Sequence, residues 1–256
     1  MDARKGWVAL PALALLMGGA AWAQPPAGMV QTETIVAEQR TSVSVRISQA
    51  AADAFMPKGW VASQPALTMI FMDRKLQLDP AGQPLQSGAN QLLVLSVGGR
   101  NVATGETKYL IVGGVSSDPL GVPGAYKVFG NGEVSVARAE ASSVKDGKIV
   151  FAVTEAWRVK AADGSTLEAD VAFTRGLPNS ANFEQKVWSG ADPDFYRFYR
   201  GAQATDVVRN AQGVNRGGVR LKASGGKLGA AINGTEVVTG ITNTPVYSRQ
   251  TFVVAK

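Results

Sequence analysis

The chain has 256 residues, 45% of them hydrophobic, with 26 basic and 20 acidic side chains and neither histidine nor cysteine. Without those two residue types there can be no Ser-His-Asp or Cys-His nucleophile, no zinc site built on imidazole or thiolate, and no disulfide. The formal charge of +6 is spread out with no run of five basic residues, and aromatics make up only 7%, so no nucleic-acid surface is expected.

The chain opens on "MDARKGWVALPALALLMGGAAWAQPP": Arg4 and Lys5, an apolar run from Trp7 to Met17, then small residues ending in Ala21-Trp22-Ala23. This pattern predicts a signal peptide over 1–23, because the apolar run is too short to span a bilayer and Pro11 interrupts it. The expected location is periplasmic or secreted. The remaining residues, about 233, carry +5 and contain no further stretch of about 20 apolar residues, so no stable membrane insertion is expected after cleavage.

Residues 24–40, "QPPAGMVQTETIVAEQR", show weak periodicity and read as a tail leading into a single domain over 41–256. "TSVSVRI" alternates like a half-buried strand. In "SQAAADAFMPKGW", Ser48 is placed to cap a short helix that Pro57 and Gly59 stop. From there the runs "LTMIFMDRKLQL", "NQLLVLSVGG", "KYLIVGGVS", "EVSVARAEASSV", "GKIVFAVTEAWRVKA", "STLEADVAFTRG" and "NFEQKVWS" are apolar, β-branched or alternating. Turn signals at Asp79-Pro80-Ala81-Gly82, Asn131-Gly132, Asp146-Gly147 and Asp163-Gly164 separate them and predict antiparallel hairpins. The fold class is therefore mainly β (α+β), a closed barrel or a sandwich, with one or two short helices; "GGKLGAAIN" is the second helical candidate.

"DPDFYRFYRG" interleaves Phe195, Tyr196, Phe198 and Tyr199 with Arg197 and Arg200, at a spacing open to a helical turn or a short strand. It reads as a core plug whose arginines reach water, with an anion clamp as the functional alternative. Asp73 and Arg74 end an apolar strand on opposite faces, so only one of them is expected inside. Tyr247 and Arg249 share a face of "VYSRQTF". Inside, they would make a carboxylate-binding pair. The exterior is the default, since a buried arginine without a partner is costly.

No phosphate-binding glycine loop, dinucleotide fingerprint or calcium loop is present, so neither a cofactor nor a metal is expected. Two chemistries survive the missing histidine and cysteine: paired carboxylates, or a lysine of lowered pKa that condenses with a carbonyl. Lys127, in "SSDPLGVPGAYKVFG" with Tyr126 beside it, is the candidate amine. It can equally be an ordinary strand-edge lysine after a Pro-Gly turn, or a cation holding an anionic ligand.

The order of elements, with "AAADAFMPKGW", "LTMIFMDR", "GAYKVFGNGEVSVARA" before "GKIVFAVTEAW", and the C-terminal "ATDVVRNAQGVNRGGVRLKASGGKLGAAINGTEVVTGITNTPVYSRQTFVV", resembles the acetoacetate decarboxylase-like superfamily. The resemblance runs from about residue 43 to the C-terminus. It implies an antiparallel β-barrel with a largely apolar internal cavity, in a homo-oligomer. Decarboxylases of that family use two adjacent lysines in a proline-containing loop, one of which forms an imine with a β-keto acid and accepts electrons as carbon dioxide leaves. The resemblance puts that pair near Gly121 and Val122, puts the family's cavity glutamate at Gln86, and aligns Lys127 with a downstream lysine. The departures imply an exported barrel binding a small keto- or carboxylate-containing molecule through Gln86, Tyr126, Tyr247, Arg249 and Asp73, without imine chemistry. The alternatives are lysine-dependent lyase chemistry at Lys127, or a lipocalin-like carrier of an apolar ligand.

Overall fold

The computed structural model describes residues 25–85, 88–118 and 126–255. The expected signal peptide over 1–23 and the site candidate Gln86 lie outside the described residues.

In chain order the elements are β1 (Met29–Arg46), α1 (Gln49–Asp53), β2 (Trp60–Ala62), β3 (Ala66–Leu78), β4 (Asn90–Asn101), β5 (Thr107–Ser116) and β6 (Phe129–Lys145). They continue as β7 (Lys148–Ala161), β8 (Thr166–Arg175), β9 (Asn179–Ser189), β10 (Tyr196–Arg209), β11 (Gly217–Ser224), α2 (Gly226–Ala231) and β12 (Val237–Val254). The mainly-β class and both short helices agree with the sequence. Ser48 caps α1 as expected, its hydroxyl accepting from the Ala51 backbone N–H at 3.1 Å.

The strands form one mixed sheet that curls back on itself through β5-β9-β10-β12-β1-β3-β4 and again β5. Closure between β5 and β9 is parallel and short, pairing Leu110 with Trp188 and Ile111 with Ser189. The result is a ring with a mixed sheet rather than the wholly antiparallel barrel expected. Strands β6, β7, β8 and β11 form an antiparallel extension, attached where β6 runs parallel to β5 from Gly114↔Phe129 to Ser116↔Asn131. The predicted Asn131-Gly132 turn is thus a stretch of strand. A Cβ at position 132 would stand 2.3 Å from the Lys160 carbonyl oxygen, so this glycine serves close backbone approach instead of a turn. The Asp146-Gly147 hairpin is as predicted, with φ of 51° and 73° between paired Lys145 and Lys148.

The extension lies over the outer face of the ring. Val43, Val45, Leu67, Met69, Phe71, Leu93 and Leu95 from the ring share one apolar core with Val153, Trp157, Val159, Leu167, Val171 and Phe173 from the extension. Ala52 and Phe55 by α1, and Leu228 and Ala231 of α2, plug the same core. A second, smaller cluster lies inside the ring and contains Met72, Leu92, Val94, Ile111, Tyr126, Val187 and Tyr199. Strand β3 is therefore covered on both faces, which accounts for its unbroken apolar run.

The segment 24–40, expected as a tail, enters the fold: from Met29 onward it is β1, paired with both β12 and β3. Register shifts between Gln31 and Glu33 and between Ile35 and Glu38 break the two-residue period, and the inward positions include Glu33 and Glu38. Bulges and inward charges together erase the alternation by which a strand is read from sequence.

Candidate functional site: an arginine-walled cavity

Alternation along the ring strands aims one set of side chains inward. Arg40, Ile70, Met72, Arg74, Leu92, Val94, Tyr109, Ile111, Tyr126, Phe129, Gln185, Val187, Tyr199 and Arg249 line a cavity of about 60 Å³. Its walls differ. Strands β3, β4, β5 and β9 supply Ile70, Met72, Leu92, Val94, Ile111 and Val187, with Arg74 further along β3, whereas β1, β10 and β12 supply Arg40, Tyr199 and Arg249. Tyr109 and Gln185 are exposed and stand at the rim.

Behind the cationic wall runs a buried charge network. Glu33 Oε1 accepts from Arg249 Nη2 at 3.2 Å, Arg197 Nη1 at 3.3 Å and Thr251 Oγ1 at 2.9 Å, and Glu33 Oε2 accepts from Gln77 Nε2 at 2.5 Å. Arg74 links this carboxylate to the other: its Nη1 donates to Gln77 Oε1 at 2.9 Å, and its Nε donates to Glu38 Oε2 at 2.8 Å. Glu38 Oε1 also accepts from Arg40 Nε. Four guanidiniums thus share two carboxylates, leaving two positive charges in excess among the described residues of the ring interior. Arg40 Nη2, Arg249 Nε and Arg197 Nε are buried without a hydrogen-bond partner among the described residues. Aromatic faces compensate in part, with the Arg40 guanidinium 3.3 Å from the Tyr247 ring centre and that of Arg249 3.9 Å from the Tyr199 ring.

Burial by itself would push both carboxyls up, but the arginines overcome it. Glu38 is lowered to about 2 by Arg40, Arg74 and Arg249, and Glu33 is lowered by Arg249, Arg197 and Arg74 together with the Thr251 hydroxyl. A carboxyl whose folded pKa lies below its unfolded value stabilises the fold fully above the unfolded value of 4.5, and that contribution disappears as pH falls toward 2. For Glu38 the shift corresponds to on the order of 3 kcal/mol. Thermal unfolding followed from pH 7 to pH 2 should show the melting temperature dropping mainly below pH 4.5, and Glu38→Gln should flatten that drop while lowering the melting temperature at neutral pH.

The positions singled out in the sequence are distributed unevenly around this cavity. Tyr126 and Arg249 line it. Tyr247 is buried on the same inward face as Arg249, so the exterior default for this pair is corrected; the expected lack of partners is met by Glu33, 216 positions away from Arg249 in the chain. Asp73 and Arg74 are both buried, on opposite faces as alternation requires. Arg74 faces the cavity, while Asp73 faces the extension and binds Arg138 at 3.2 Å and Lys75 at 2.6 Å. Only one of the two therefore points into the ring, as alternation requires, and Asp73 is buried as well because the extension covers the ring's outer face. Lys127 is exposed, at a left-handed φ of 54°, and is not among the lining residues, although its neighbour Tyr126 is. The aromatic cluster is strand β10, and Arg197, expected to reach water, is buried against Glu33. Glu33, Glu38 and Arg40 were not singled out, as all three lie in the segment read as a tail.

Similar structures are found among solved proteins. An acetoacetate decarboxylase from Legionella pneumophila subsp. pneumophila str. Philadelphia 1 superposes with a TM-score of 0.51 at 9% identity, covering 95% of each chain. The enduracididine biosynthesis enzyme MppR, with HEPES buffer bound, gives 0.50 at 11% identity over 93% of this chain and 89% of its own. Another acetoacetate decarboxylase structure gives 0.50 at 8% identity over 88% of both chains. No protein-family model matches the chain, and no curated protein matches it by sequence. The likeness is one of fold: the ring and its extension have the acetoacetate decarboxylase-like fold over nearly the whole chain.

Proposed function

We propose that the chain is an exported binding protein in which an acetoacetate decarboxylase-like ring holds a small keto- or carboxylate-containing anion against an arginine wall, without imine chemistry. The observation that carries this reading is the excess of guanidinium over carboxylate inside the ring, with Arg40 and Arg249 both lining the cavity and both retaining unpartnered donors. Buried cations in excess of their counter-ions favour an anion entering from solvent, and planar guanidiniums suit a carboxylate in particular. The apolar wall opposite offers a surface for a short carbon chain. At about 60 Å³ the cavity is far below the roughly 300 Å³ at which sites for drug-sized ligands begin, which favours a molecule of a few heavy atoms over the apolar cargo of a carrier. Enzymes named for acetoacetate, itself a small keto carboxylate, share the fold.

Absence of the imine route is supported by the lining, which contains no lysine among the described residues, and by the sequence of residues 119–125, "PLGVPGA", which contains none either. The basic start, apolar run and Ala-Trp-Ala of residues 1–23 support export to the periplasm or beyond. Borohydride reduction in the presence of a panel of β-keto acids, followed by intact-mass measurement, tests the chemistry. The expected result is an unchanged mass under conditions that trap an active acetoacetate decarboxylase. An adduct mapped to Lys127 would replace this reading with lysine-dependent catalysis.

A further inference from the structure

Inside the cavity two phenols form a hydrogen-bonded chain whose polarity is fixed by its end. Tyr126 Oη lies 3.0 Å from the Val187 carbonyl oxygen and 2.9 Å from Tyr199 Oη. A carbonyl can only accept, so the single phenolic proton of Tyr126 goes to Val187. The short contact between the phenols then requires the proton of Tyr199 to be donated to Tyr126. Burial and the neighbouring Tyr199 raise the Tyr126 pKa well above its ordinary value, so Tyr126 keeps the proton it gives to Val187 throughout the neutral range. Tyr199 has no other hydrogen-bond partner among the described residues and it lines the cavity. With its proton committed, Tyr199 can offer a ligand only lone pairs.

Away from the rim, the charged groups on the lining, the guanidiniums of Arg40, Arg74 and Arg249, are donors only. Arg249 stacks on the Tyr199 ring at 3.9 Å, so the carboxylate-holding group and the acceptor are neighbours. We propose that the cavity selects hydroxy acids: carboxylates carrying a neutral hydroxyl next to the acid group, which donates to Tyr199 while the carboxylate meets Arg249. A keto oxygen at that position would face lone pairs, and an ammonium would meet two uncompensated positive charges. This inference rests on the anion-binding reading above and narrows it to a ligand class.

Calorimetric titration with lactate, pyruvate and propionate tests both levels separately. For the unmodified chain, lactate should bind about five- to tenfold more tightly than either of the others, the range of one hydrogen bond. Tyr199→Phe should bring lactate to within about twofold of propionate, with propionate unchanged. Tyr126→Phe frees the Tyr199 hydroxyl to donate, so it should raise pyruvate toward lactate while Tyr199 remains in place; this second variant keeps the test decisive if the first does not fold. Three equal affinities in the unmodified chain would overturn the hydroxy-acid inference and leave the carboxylate site standing. No binding of any of the three would overturn the anion-binding reading and this inference with it.

Discussion

Replacing Arg249 by methionine is expected to lower the affinity for a small carboxylate by about 30- to 100-fold, the equivalent of roughly 2–3 kcal/mol for a lost hydrogen bond to a charged group. Methionine retains much of the side chain's bulk but contributes no charge, and it reduces the excess inside the ring from two positive charges to one. The fold should survive, because Glu33 still accepts from Arg197, Gln77 and Thr251. Arg197→Met is the informative comparison. Arg197 binds the same carboxylate oxygen from nearly the same distance but does not line the cavity. Its loss should therefore resemble that of Arg249 in thermal stability and differ in binding, where a reduction below about tenfold is expected. Equal binding losses would mean that the arginines act only by supporting the ring. Isothermal titration calorimetry with paired thermal melts reads both quantities.

The largest effect on stability is expected at Trp157. It is fully buried, its ring centre lies 5.3 Å from that of Phe71, and it is part of the core shared by the ring and the extension. Its indole N–H donates to Glu155 Oε2 at 2.8 Å, and Glu155 Oε1 accepts from Arg138 Nε at 3.0 Å. Trp157→Ala removes the aromatic contact and leaves a cavity at the junction, with an expected loss of about 3–5 kcal/mol in urea unfolding. Trp157→Phe retains most of the apolar volume and removes only the donor to Glu155, so about 1–2 kcal/mol is expected. If the two variants were equally destabilised, the hydrogen bond to Glu155 would be the main contribution and packing against Phe71 a minor one.

Much of the fold could be read from the chain because its signals are local. The Asp146-Gly147 hairpin follows from two residues that accept positive φ, and α1 follows from Ser48 and the alanines after it. The apolar run of β3 announces a strand, while its burial on both faces depends on the ring and the extension coming together. What could not be read is the assembly of the site, since its partners are far apart in sequence: Glu33 meets Arg197 164 positions away and Arg249 216 away. An arginine considered alone is most economically placed at the surface, and only a closed ring brings the compensating carboxylates to it. The bulges of β1 hid Glu33 and Glu38 by the same reasoning, since a strand that carries charges inward and breaks its own period resembles a loop. Four buried or half-buried arginines cannot be paired by inspection of a sequence with 26 basic residues. Two advance signals point to the site: Tyr247 and Arg249 on one face of "VYSRQTF", a carboxylate-binding pair if inside, and Arg197 and Tyr199 interleaved in "FYRFYR", where an anion clamp is the alternative to a core plug.

Titration of the unmodified chain with propionate, and separately with its uncharged isostere propionamide, tests the arginine-walled anion site most directly. The two ligands have nearly the same size and apolar surface and differ in charge. Saturable binding of propionate, weakened by added salt and accompanied by no detectable binding of propionamide, is the expected result. Equal binding of both, or binding of neither, would contradict an arginine-held carboxylate in the ring.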